Sequence, residues 1–195
     1  MTTINSVSSY LIQALGSFFF TLVILRFLLQ LVKADFYNPI SLFIVNATRL
    51  ASSPIRALLP SFKSFDIASL VLAILVQWII IQLTYTINNL GIVNVFMAIS
   101  WGFVGILSMI LNIYMYGLLA TIVISWIAPN SQHPAITLIN QVIHPAMEPF
   151  RRLIPPLGMI DLSPMLFFIV LNVLDYFIYG IATELMLPSR IVAGI

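Results

Sequence analysis

Apolar residues dominate four long stretches of this chain, and the polar residues between them fall into two proline-rich blocks. The first stretch, Ser8 to Val32, includes Phe18, Phe19, Phe20, Leu22, Val23, Ile24 and Leu25 and carries one charge, Arg26, near its end. At about 1.5 Å per helical residue it can cross a hydrocarbon layer roughly 30 Å thick. Apolarity resumes from Asp66 to about Asn88, through Leu70, Val71, Leu72, Ile74, Trp78 and Ile81. A short uncharged turn around Asn88, Asn89, Gly91 and Asn94 leads into an apolar run from Val95 to Ile127, longer than one perpendicular crossing requires. The third crossing is placed at about 103–127, with 95–102 lying in the interface, tilted, or extending the helix. The fourth runs from about 163 to 187, interrupted by Asp175 and, near its end, Glu184.

Between the first and second crossings lie Lys33, Asp35, Arg49, Arg56 and Lys63 with Pro39, Pro54 and Pro60; between the third and fourth lie His133, His144, Glu148, Arg151, Arg152 and Asp161, again with prolines. Such composition suits interfacial loops and not spans. Two loops separated by two crossings share a side, and every Lys or Arg except Arg26 and Arg190 falls in them. The positive-inside rule makes that side cytoplasmic, and both termini then face the outside, which is the periplasm in a Gram-negative cell. Arg26 is expected to snorkel to the headgroups without a buried partner.

The two halves repeat. Pro39, Pro54, Arg56, Pro60 and Asp66 recur as Pro134, Pro149, Arg151, Pro155 and Asp161, each displaced by 95 positions without a gap. Ile55 pairs with Phe150, Leu58 with Leu153, Leu59 with Ile154 and Ile67 with Leu162. Residues 1–94 and 95–195 are thus read as two tandem units. With two crossings each, they enter the membrane in the same orientation as parallel repeats. The expected fold is an all-α membrane protein of four transmembrane helices with pseudo-twofold symmetry.

Each loop carries an amphipathic segment. Ile40, Phe43, Ile44, Ala47, Leu50 and Ala51 oppose Asn46, Arg49 and Ser53, while Ile139, Val142, Ile143 and Ala146 oppose Asn140, Gln141 and His144. This periodicity predicts a short helix in the interface, started by the proline in its first turn. Pro54 and Pro149 are expected to stop these segments. Asp66 and Asp161 precede the second and fourth crossings, where a carboxylate can cap a helix N-terminus, and an Arg to Asp contact within each loop follows naturally.

Composition fits a membrane protein. Of 195 residues, 61% are hydrophobic and 7% charged, against about 25% charged in an average soluble domain. The net charge of +2 is too small to point to nucleic acid. Without cysteine there is no disulfide, thiolate metal site or cysteine nucleophile. His133 and His144 are spaced unlike a helical metal pair, and Ser125, His133 and Asp161 come without a nucleophile elbow. No enzyme or cofactor is expected.

Asp175 is the exceptional side chain, because an ionised carboxylate within a crossing costs several kcal/mol unless paired, hydrated or protonated. It is either an ion or proton site, with Asn172 and Asn112 at similar depth, or a hydrogen-bonded fastener between helices. Arg56, Arg151 and Arg152 are candidate contacts for lipid headgroups or a protein partner, set against a plain role as positive-inside anchors.

The run Ile124-Ser125-Trp126-Ile127-Ala128-Pro129, then His133-Pro134, Glu148-Pro149-Phe150-Arg151-Arg152-Leu153-Ile154-Pro155 and Asp161-Leu162-Ser163-Pro164 resembles the signature of the YggT family of small bacterial and plastid membrane proteins. The first half, with Asn38-Pro39, Ser53-Pro54-Ile55-Arg56, Pro60 and Asp66-Ile67-Ala68, resembles a diverged copy lacking the Ser-Trp pair, the double arginine and the final proline. The resemblance implies a multi-pass protein of the bacterial inner membrane, linked to membrane-complex biogenesis, division or osmotic homeostasis. It carries over no catalytic residues. A scaffold or assembly factor with a membrane or cytoplasmic protein partner is the leading expectation. A small oligomeric channel or transporter using Asp175 is the alternative.

Overall fold

The computed structural model describes residues 3–59, 64–153, 161–188 and 191–195. Pro60, Lys63, Ile154, Pro155 and Arg190, each read from the sequence above, lie outside the described residues. The order is α1 (Thr3–Leu31), α2 (Pro39–Leu58), α3 (Ile67–Ile87), α4 (Val95–Ile127), α5 (Pro134–Leu153) and α6 (Ser163–Glu184). Four of these, α1, α3, α4 and α6, are long and apolar enough to cross a membrane. The chain is an all-α, multi-pass membrane protein.

Residues 95–102 extend the third crossing, so α4 is one helix of 33 residues, about 50 Å long. Asn94 caps it, its side chain accepting the Phe96 N–H at 2.9 Å. The loop prolines do not stop the amphipathic segments. Pro54 lies inside α2, and Pro145 and Pro149 lie inside α5. A helical proline forfeits one hydrogen bond to the carbonyl four residues back. On helices with a polar outer face, water or headgroups can take up the freed carbonyl. For Pro54 that carbonyl belongs to Leu50, which is exposed.

The two units pack alike. Within each, the crossings form a pair, α1 with α3 and α4 with α6, and the amphipathic helix lies against both members of its pair. Between units, α2 touches α5 and α1 touches α4, which places the pseudo-twofold axis between these like elements. Because α2 and α5 touch, both loops share one face.

The helix packing departs from symmetry between the units. α3 packs on α4, yet no comparable contact joins α6 to α1 among the described residues. The segment 191–195 fills that gap. Val192 and Ala193 are buried, and the Gly194 carbonyl accepts hydrogen bonds from Ser108 at 2.5 Å and Asn112 at 2.7 Å, both on α4. Gly105 permits the approach, since a Cβ there would lie 2.9 Å from Val192 Cγ1 and 3.0 Å from the Ala193 carbonyl.

The core follows the same plan. Phe20, Val23, Ile24 and Leu28 of α1 meet Leu72 and Ala73 of α3, while Leu118 of α4 meets Phe167 and Leu171 of α6. The amphipathic helices differ. α2 turns Thr48 and Ser52 inward, whereas α5 presents Ile143 and Met147 at the positions 95 residues on.

Candidate functional site

Where the loop helices meet the crossings, the repeated Arg and Asp come together in both halves. Asp66 is the N-cap of α3, its carboxylate accepting the Ser69 N–H at 3.3 Å and the Ser69 hydroxyl at 2.5 Å. Arg56, in the last turn of α2, donates to the same carboxylate and to Gln30 Oε1 at 3.1 Å. The Asp66 side chain is fully buried and that of Arg56 is 34% exposed. One ion pair therefore ties α1, α2 and α3 together.

In the second half, Arg151 Nε lies 3.4 Å from Asp161 Oδ2, and the two side chains are 33% and 39% exposed. Asp161 precedes the cap position, which Leu162 occupies without a side-chain bond, and instead accepts the Ser163 N–H at 2.9 Å. Hydrogen bonding from Ser163 holds the Asp161 carboxyl below its ordinary range, with Arg151 adding to this and partial burial opposing it. Arg151 also donates to His144 Nδ1 at 3.1 Å, and Arg152 pairs with Glu148 at 3.3 Å on the exposed side of α5. The first clasp is closed and buried, the second open to solvent.

Arg26 departs from expectation. It is 5% exposed, and its Nη1 donates to the Thr48 hydroxyl at 2.7 Å and the Val45 carbonyl at 3.2 Å. It does not snorkel free of partners, because α2 packs over it and supplies two acceptors. The hydropathy of α1 carries no sign of this, since the partners lie on another helix.

The intramembrane polar residues divide. Asp175 and Asn112 line one recess of about 280 Å³ with Ser108, Tyr179 and Gly194, and Asp175 is exposed on α6. Asn172 is not part of that recess; its side chain donates to the Phe168 carbonyl of its own helix at 2.8 Å. Gln77, its counterpart in the first half, is fully buried, with neither amide atom hydrogen-bonded.

The same helix, loop helix, helix plan thus occurs twice, each time with its clasp. The CCB3/YggT family model matches residues 6–87 and, again, 100–182. The chain belongs to the CCB3/YggT family. Over 176 residues it is 40% identical to Uncharacterized protein PA0392 of Pseudomonas aeruginosa, covering 90% of this chain and 89% of that one. Over 169 residues it is 29% identical to Uncharacterized protein YggT of Escherichia coli strain K12, covering 86% of each. A shorter stretch of 62 residues is 40% identical to YlmG homolog protein 2, chloroplastic, of Arabidopsis thaliana, 32% of this chain and 24% of that one. No solved structure matches.

The two YggT units are also joined to one another at the loop face. Asn38 caps α2 through the Ile40 N–H at 2.9 Å and donates to the Pro134 carbonyl at 2.8 Å, while Gln141 accepts the Asp35 N–H at 3.0 Å. His133, at the position equivalent to Asn38, accepts the Ala135 N–H at 3.2 Å, so the first residue of each Asn/His-Pro pair does the same capping work. Beneath this junction, α1, α2, α4 and α5 line a partly open, almost wholly apolar recess of about 270 Å³ walled by Leu25, Leu29, Ile44, Ile113, Leu138 and Val142.

Proposed function

We propose that this protein is a non-enzymatic scaffold of the bacterial inner membrane, serving assembly of membrane complexes, division or osmotic homeostasis, with its loop helices on the cytoplasmic face. The observation that carries this reading is the linkage of α2 to α5. Two amphipathic helices fastened across the repeat axis make one platform at the membrane surface, with Arg152 exposed on it. Exposed arginines on a rigid element suit recognition of an acidic partner surface, because a guanidinium offers a planar set of donors at modest entropic cost. The test is photo-crosslinking from positions 151 and 152 in native membranes. A protein partner should be captured, and Arg151→Ala with Arg152→Ala should lose it together with complementation of a deletion strain. Unchanged capture and complementation would refute the scaffold.

A second reading is favoured by the position of Asp175. Asp175 is exposed on α6 beside Ser108 and Asn112 of α4, and an exposed carboxylate is costly in lipid. A second copy covering it would make an oligomer with a polar path between protomers. Ion flux in liposomes that is lost in Asp175→Asn supports the channel. No flux, or equal flux in the variant, excludes it.

A further inference from the structure

Each unit has a pocket at the loop end of its first crossing, and the two pockets differ in charge. In the first, Arg26, Gln30, Lys33 and Arg56 surround a space of about 720 Å³ between the loop end of α1 and α2. In the second, the equivalents Thr121, Ser125 and Arg151 surround about 700 Å³, with Asp161, Trp126 and Phe168 in the wall. The residue equivalent to Lys33 is Ala128. The two linings share three equivalent positions, and of these only the one held by Arg56 and Arg151 carries the same charge in both units. Three cations line it, and no acidic side chain does so among the described residues.

Three further observations mark this as a built site. Arg26 is 5% exposed and is held by Thr48 and Val45, both through Nη1, while its Nε is buried without a partner. Arg56 Nε is likewise unpartnered, although the same guanidinium satisfies Asp66 and Gln30. Lys33, just beyond the end of α1, is an exposed part of the lining. Asp66 offsets one of the three charges, and the surplus has no protein counter-ion within the pocket.

We propose that this pocket binds the phosphate group of an anionic phospholipid. Two guanidiniums and an ammonium supply the donors that a phosphate oxygen set requires. The location points to a lipid source. The pocket opens at the loop end of a crossing, where headgroups lie. The second pocket holds one cation, Arg151, among the described residues, and its ion-pair partner Asp161 lines the same pocket.

The test uses the full chain purified in detergent and titrated with phosphatidylglycerol or phosphatidylcholine, with bound lipid counted by native mass spectrometry. Wild type should retain phosphatidylglycerol in preference to phosphatidylcholine. Lys33→Gln, an exposed change that leaves the clasp intact, should weaken retention about fivefold, the effect expected of one cation near an anionic lipid. Arg49→Gln removes an exposed cation of α2 outside the pocket and should leave retention unchanged. Equal losses in both variants, or no preference for phosphatidylglycerol, would overturn the site. Competition by inorganic phosphate at equal concentration would overturn its assignment to lipid. This readout needs no protein partner, so it stands or falls separately from the scaffold.

Discussion

The Asn38 side chain bridges the two halves of the molecule, donating to the Pro134 carbonyl at 2.8 Å while its oxygen caps α2. Asn38→Ala removes both bonds and should destabilise the protein by about 1–2 kcal/mol, the usual cost of losing a cap plus a hydrogen bond. Asn38→Asp keeps the capping oxygen and loses only the donor, so thermal melting in detergent should place it between wild type and Asn38→Ala. An aspartate variant as unstable as the alanine variant would show that the inter-repeat bond dominates.

The two Arg to Asp clasps should respond unequally. Asp66 is fully buried, and Arg56→Ala strips it of its counter-ion, which should cost about 3 kcal/mol. Arg151→Ala acts on an exposed pair and should cost about 0.5 kcal/mol. Comparison of unfolding midpoints in the two variants checks this. Equal losses would mean that burial does not set the difference.

Acid should weaken the second unit in two steps. Burial, with Arg151 adding to it and Glu148 opposing, holds His144 below its ordinary 6.5. The unfolded chain therefore takes up that proton first, and stability falls as pH drops from 6.5 through the lower folded-state value. Asp161 is also lowered, so its contribution is present above 3.8 and is lost as pH falls below that through its folded-state value. In a melting series across pH, His144→Gln should remove the upper step and leave the lower one.

The absence of cysteine makes the 191–195 segment easy to probe. Ala193 is buried, so Ala193→Cys should label slowly with a thiol reagent in the folded protein. Adding Gly105→Val places side-chain atoms where Val192 and the Ala193 carbonyl now lie, and labelling should accelerate severalfold. Unchanged labelling would show that the segment is not displaced by filling that gap.

Much of this architecture is legible in the sequence. The four crossings follow from apolar runs, and the repeat from prolines and charges in fixed register. The pairing of Arg56 with Asp66, and of Arg151 with Asp161, follows from that register. Burial of Arg26 could not be read the same way, because the acceptor that holds it, Thr48, lies 22 residues away on α2. The prolines misled, since Pro54 and Pro149 were expected to stop the loop helices and instead lie inside α2 and α5. Nothing in the last residues of the sequence marks them as the filling between α1 and α6. That placement depends on a gap left by the packing of other helices.

Duplication within one polypeptide has a genetic consequence. In a homodimer of half-length subunits every substitution strikes both copies, so a cationic cluster at Arg26, Lys33 and Arg56 would be doubled and Trp126 would have a twin. Fusion lifts that constraint. Each half can mutate alone, which is how a protein of near-twofold shape comes to carry one positively charged pocket and one that is not.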